Sequence, residues 1–209
     1  MNIARVSCRE RARREFERLK HTDAPPIPIA GGSLVPVSRA HAADERLIAA
    51  LARWRVANEF AYPTRFPVTL AGTGAWLRER VLAAPERMMF LVHDASGRPI
   101  DHAGFVADGD RTLKLDNVMR GERGAPGIMT AAVTALLRWA DRTLEPVAVR
   151  LPVFAHNGHA IRFYRRIGFH DAGLVPLRRL ELGERVEYVP LADGAEAADA
   201  HHLIMMRRS

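Results

Sequence analysis

The chain is 209 residues long and 48% hydrophobic, with a formal charge of +7 and a pI near 10.6; every cation except Lys20 and Lys114 is arginine. That length suits one domain with an appendage. No run approaches the roughly 20 apolar residues of a membrane span, and a charged N-terminus stands where a signal peptide carries its apolar stretch, so a cytoplasmic protein without a membrane partner is expected.

Residues 5–20, rich in Arg and Glu, read as a solvated helical or disordered extension that runs into a turn-forming stretch over 22–33. The expected division is therefore a charged extension and linker at 1–33 and one domain at 34–209. The domain opens on the apolar run Leu34 to Val37. A helix follows over 43–58, with Leu47, Ile48, Leu51 and Trp54 on one face. Residues 59–68 hold two prolines and three aromatics and are irregular. A second helix over 73–83 is stopped by Ala84-Pro85.

The period then changes. Residues 88–93, 100–106 and 113–118 read as three strands joined by tight turns, an antiparallel meander. A helix over 127–144 leads to a strand over 147–153, a crossover that makes this strand parallel to that at 113–118. A helix over 158–167 ends at Gly168, two strands fall within 177–189, and a last one lies near 202–206. The expected class is α/β (α+β), a mixed sheet of about six to seven strands flanked by about four helices.

The basic surface attracts polyanions, nucleic acid or a phosphorylated small ligand among them. The arginines are scattered rather than gathered on one helix, which argues against a polynucleotide. The lone Cys8 excludes a disulfide framework and a cysteine zinc cluster; His156 and His159 lack a third ligand nearby, so no metal is expected.

Two segments carry chemistry. Between the strand at 113–118 and the next helix, Gly121, Gly124 and Gly127 with Arg120 and Arg123 precede a helix N-terminus, where free N–H groups attract anions. Taken alone, this segment serves equally well as an ordinary connection. The second segment places Asn157, Ala160, Tyr164, Gly168 and Phe169 in one run. It resembles the N-x-x-A-x-x-x-Y-x-x-x-G-F signature of the GNAT acetyltransferases, and the element order from 34 to 207 is similar to that fold, in which the fourth and fifth strands are parallel and splay apart. The glycine-rich segment in turn resembles the R/Q-x-x-G-x-G/A pyrophosphate loop, with Gly124 where Arg or Gln is usual and Met129 where Gly or Ala is usual. Arg120 or Arg123 can supply the charge from a neighbouring position.

The resemblance implies acetyl-CoA or another acyl-CoA as cosubstrate. Its pantetheine would pair with the backbone of Asn117, Val118 and Met119. Its phosphates would meet Arg120, Arg123, Gly124, Ala125, Gly127, Ile128 and Met129, and its thioester end Asn157, Ala160, Phe163 and Tyr164. Acyl transfer to an amine needs a proton donor for the departing thiolate, and a tyrosine with a pKa near about 10 can be one, so Tyr164 is the general-acid candidate. Asp116 is the candidate base, with His93 and His102 on neighbouring strands as alternatives. Each has a plainer role open to it: Tyr164 in packing, Asn157 as a helix cap, Asp116 on a strand surface.

For the acceptor, the resemblance points to the first two helices of the domain and the loop between them, hence Trp54, Arg55, Asn58 and Phe60, with His102. The Trp-Arg pair followed by aromatics is similar to enzymes acting on nucleotide-linked amino sugars, and also to ribosomal-protein N-terminal acetyltransferases. Three readings follow: an N-acyltransferase on a small-molecule amine, the same chemistry on a protein, and a binding module for CoA or nucleic acid without activity. A homodimer is left open.

Overall fold

The structure, a computed structural model, describes residues 6–122, 126–191 and 198–209. Among these residues, no helix is long and apolar enough to cross a membrane.

The chain begins with helix α1 (Cys8–His21), whose first turn is capped by the Ser7 hydroxyl accepting from the Glu10 N–H at 3.1 Å. This is the helical form of the extension expected over 5–20, but it is not solvated: it packs on the core. Cys8, Ala12, Phe16 and Leu19 recur at helical spacing, and Ala12 and Phe16 are fully buried in the main core. Polar contacts fix it: Cys8 N–H donates to Asp110 O at 2.9 Å, Arg11 Nε to Leu144 O at 2.9 Å, and the buried Lys20 Nζ to Ala84 O at 2.5 Å. Strand β1 (Ile27–Ile29) also belongs to the sheet, pairing with β2 (Gly32–Pro36).

Helix α2 (Glu45–Ala57) buries Leu47, Ile48, Leu51 and Trp54, as its periodicity predicts. After it come the two-residue strand β3 (Thr64–Arg65), helix α3 (Leu70–Trp76), which runs on through a π-helical turn to Leu82, and the meander β4 (Arg87–Asp94), β5 (Pro99–Val106) and β6 (Thr112–Arg120). Helix α4 (Ile128–Thr143), β7 (Ala148–Phe154), helix α5 (Gly158–Arg166), β8 (His170–Leu182), β9 (Arg185–Pro190) and β10 (Ala200–Arg208) complete the order.

Among the described residues the strands form one ten-stranded sheet, ordered β1-β2-β4-β5-β6-β7-β10-β8-β9-β3, more strands than expected. The additional ones pair over long sequence distances or too briefly to leave a local pattern. In β4, Met88, Phe90 and Val92 face the core under α1 and α4, whereas Met89 and Leu91 face the core under α2 and α3. Both faces are covered, which explains why this strand is a continuous apolar run rather than an alternating one.

The β6–β7 pairing positions the site. These strands are parallel and bonded only from Thr112↔Ala148 to Lys114↔Arg150, although they continue to Arg120 and Phe154. Beyond Lys114 they separate, and the β7-facing edge of β6 is unpaired among the described residues.

Candidate active site

The splay and a neighbouring cavity of about 500 Å³ meet at β6. At the opening, Asn117 adopts the left-handed conformation (φ 51°), and the β5–β6 register shifts between His102 and Gly104. A non-glycine residue held there is strained, and such bulges re-aim side chains at functional sites. The Asn117 amide Nδ2 is buried with no hydrogen-bond partner among the described residues.

His102 answers this bulge from β5. Its Nδ1 lies 2.6 Å from the Asn117 carbonyl oxygen, which only accepts, so Nδ1 carries the hydrogen and Nε2 the lone pair. The ring is 2% exposed, and burial pushes its pKa down to about 4. It is a neutral acceptor at physiological pH. Asp116, also on the cavity wall, has Oδ2 at 3.1 Å from Arg87 Nη1 and Oδ1 at 4.0 Å from Lys114 Nζ. The Arg87 contact is an ion pair by distance, but its N–H is not aligned on the oxygen, and Oδ2 remains without a hydrogen bond.

The outer wall comes from α2 and the segment after it. Tyr62, Phe66 and Trp76 give it an aromatic surface, and burial raises the Tyr62 phenol to about 12. The Arg55 guanidinium lies 3.3 Å above the centre of the Tyr62 ring. Strand β3 holds this wall against β9 through Thr64↔Glu187 and Arg65↔Val186, and Tyr188 N–H donates to Pro63 O at 2.7 Å.

Tyr164 lies on α5. Its ring packs edge-on against Phe163 (5.2 Å) and Phe169 (5.9 Å), and its hydroxyl makes no hydrogen bond to a described residue. Burial first, then the charges of Tyr62 and Asp116, push its pKa well above the ordinary tyrosine value, so it keeps its proton at neutral pH. It lies outside the cavity lining, yet it is electrostatically linked to two residues that form that lining. Asn157 caps α5, its Oδ1 accepting from Ala160 N–H at 3.1 Å, and Ala160 and Phe163 pack on the core.

Of the residues expected at the acceptor, Arg55 and His102 line the cavity, and Trp54, Asn58 and Phe60 do not. Trp54 is a core residue: it is 2% exposed, its Nε1 donates to Glu122 Oε1 at 2.9 Å, and its ring covers Gly121 so closely that a Cβ there would come within 2.3 Å. Asn58 ties α2 to β6 by donating to Trp54 O and Arg120 O, and Phe60 faces solvent. Sequence reasoning passed over Tyr62 and Arg87. Arg87 carries no signal because its partner Asp116 lies two strands away.

On the cofactor side, Val118 and Met119 continue β6, with Met119 buried; Arg120 is exposed at its end. Gly127 (φ 80°) provides the left-handed entry to α4, whose first turn holds Ile128 and Met129. Arg123, Gly124 and Ala125 lie outside the described residues. What is described suits an acyl-CoA: an unpaired strand edge for an amide-bearing arm, a buried unpartnered amide at the bulge, and a helix N-terminus for phosphates. No group of three or more metal-binding side chains occurs among the described residues.

A family model described as Acetyltransferase (GNAT) domain matches residues 34–170. No curated protein sequence matches. Among solved structures, a probable GNAT-family acetyltransferase from Chromobacterium violaceum ATCC 12472 is similar at 16% identity and TM-score 0.66, over 100% of this chain and 92% of that one. RimL, a ribosomal L7/L12 alpha-N-protein acetyltransferase, is similar at 13% identity and TM-score 0.63, over 88% and 94%. A Vibrio cholerae spermidine N-acetyltransferase, in complex with CoA and spermine, is similar at 14% identity and TM-score 0.58, over 86% and 96%. At these identities the likeness to solved structures speaks to the fold.

Proposed function

We propose, because this chain belongs to the GNAT acetyltransferase family, that it transfers an acyl group from acetyl-CoA or a related acyl-CoA to a primary amine of a small molecule in the cytoplasm. The observation that carries the reading is the meeting of the splayed β6 edge with a partly enclosed cavity at the Asn117 bulge. A volume of about 500 Å³ falls in the range of small-molecule sites, and its apolar walls with a few convergent polar groups suit a small amine. Amino sugars, including nucleotide-linked ones, belong to this class.

The bound cosubstrate supplies the activated acyl group and a thiolate leaving group. Asp116, whose Oδ2 has no hydrogen bond to a described residue, offers an acceptor to the incoming amine, and as the neutral amine attacks the acyl carbon the His102 Nε2 lone pair takes the proton it releases, directly or through water. Tyr164 holds its proton at neutral pH and donates it to the departing sulfur. Arg120 and the α4 N-terminus, with Arg123, Gly124 and Ala125 just before it in the sequence, hold the phosphates.

A thiol-release assay with acetyl-CoA and a panel of amines tests this. Acylation of a small amine, with no turnover of N-terminal peptides of ribosomal proteins, is expected. Peptide turnover alone would move the acceptor to proteins, and release of no CoA with any amine would remove the enzymatic reading.

A further inference from the structure

Arg55 has more hydrogen-bonding capacity than its structural role uses. One nitrogen, Nη2, donates to Thr64 O and so helps hold the cavity wall, and the guanidinium plane lies between the rings of Tyr62 (3.3 Å) and Phe66 (5.3 Å). The other, Nη1, is buried and has no partner among the described residues. No carboxylate among the described residues lies within ion-pair distance of Arg55. The cavity's own carboxylate, Asp116, is already flanked by Arg87 and Lys114, and Glu59 on the neighbouring turn is exposed. Arg55 is protonated in any protein context; its burial disfavours that charge, and the groups that offset the cost are the Tyr62 hydroxyl and, more weakly, the exposed Glu59. The cavity lining thus presents two guanidinium groups against one carboxylate, with His102 neutral.

We propose that the acceptor amine carries an oxyanion, a carboxylate or a phosphate, and that Arg55 binds this anion through Nη1 at the aromatic wall of the cavity. The inference rests on the acyltransferase reading above and narrows its substrate class. The anion supplies the missing acceptor for Nη1 and a counter-charge in direct contact, which the exposed Glu59 does not give, and charge-assisted bonds of this kind are the stronger ones. The amine end then reaches Asp116 and His102 at the β6 bulge. A polyamine would instead set a second ammonium against Arg55.

The test uses the full-length protein with acetyl-CoA and amines in matched pairs: amino acids against their amides, glucosamine 6-phosphate against glucosamine, with spermidine as the polycation. In the wild type the acid of a pair is expected to exceed its neutral partner in kcat/KM by about tenfold or more. The amino-acid and sugar-phosphate arms separate carboxylate from phosphate. In Arg55→Gln the preference collapses, and in Arg55→Lys, which keeps the charge, part of it returns. A role confined to holding Thr64 would lower both members of a pair alike and leave their ratio unchanged, which would overturn the proposal. So would a wild type that prefers spermidine or the neutral partners, whether or not the variants fold. That outcome leaves the acyltransferase reading standing, whereas failure of every amine together with no bound acetyl-CoA removes both.

Discussion

Tyr164 and His102 illustrate how much of this site is a matter of environment. Both are ordinary residues in the sequence, yet burial drives the tyrosine up and the histidine down to about 4, fixing one as a proton holder and the other as a lone-pair holder. Tyr164→Phe removes only the hydroxyl, which no described residue uses. Its kcat is expected to fall by about a hundredfold or more while calorimetry shows acetyl-CoA binding as tightly as before, the range usual for a lost acid–base group. His102 also makes a prediction about stability. Its folded pKa lies below the unfolded value near 6.5, so the unfolded chain takes up the proton first. The stabilisation is complete above about pH 6.5 and is lost as pH falls toward 4, about 3 kcal/mol over that window. Denaturant midpoints should fall across this range, and less steeply in His102→Gln. The comparison with the variant is needed because burial lowers His93 and His202 as well. The Asn157–Tyr164 spacing was legible as a motif, since one helix sets it. The pairing of Asp116 with Arg87 was not, because β5 separates the two residues.

Elements differ in legibility for the same reason. The stripe on α2 and the meander of β4, β5 and β6 are local patterns, and the structure reproduces them to within a few residues. Strand β3 exists only through its pairing with β9, more than a hundred residues later, and β8 is exposed along most of its length and so shows no alternation. Both were missed in extent, although together with β9 they hold the aromatic wall of the cavity. At the β5–β6 bulge, Gly104 lies so close to the neighbouring strand that an added Cβ would come within 2.2 Å of the Met88 carbonyl oxygen, a backbone atom with little room to yield. Gly104→Ala should therefore destabilise the fold by about 1–3 kcal/mol and weaken acyl transfer, since Asp116 is the residue paired across from it. Chemical denaturation and the thiol-release assay measure the two effects separately.

At the scale of the whole molecule, the burial of the first helix was hidden by its own charges. Only four of the buried positions of α1 are apolar, so Cys8, Ala12, Phe16 and Leu19 make a narrow stripe in a segment dominated by Arg and Glu. That stripe nevertheless lies in the main core beside α4, outside the region matched by the family model. Phe16→Ala is expected to cost about 3–5 kcal/mol, the cost of a fully buried aromatic, and an extension that merely rode on the surface would show none of it. The splayed β6 and β7 are proposed above as a working acyl-CoA site. Calorimetric titration of the purified protein with acetyl-CoA and with free CoA tests it most directly. Saturable binding near micromolar, about −8 kcal/mol, is the expected result; a protein that takes up neither at millimolar concentration would contradict the account.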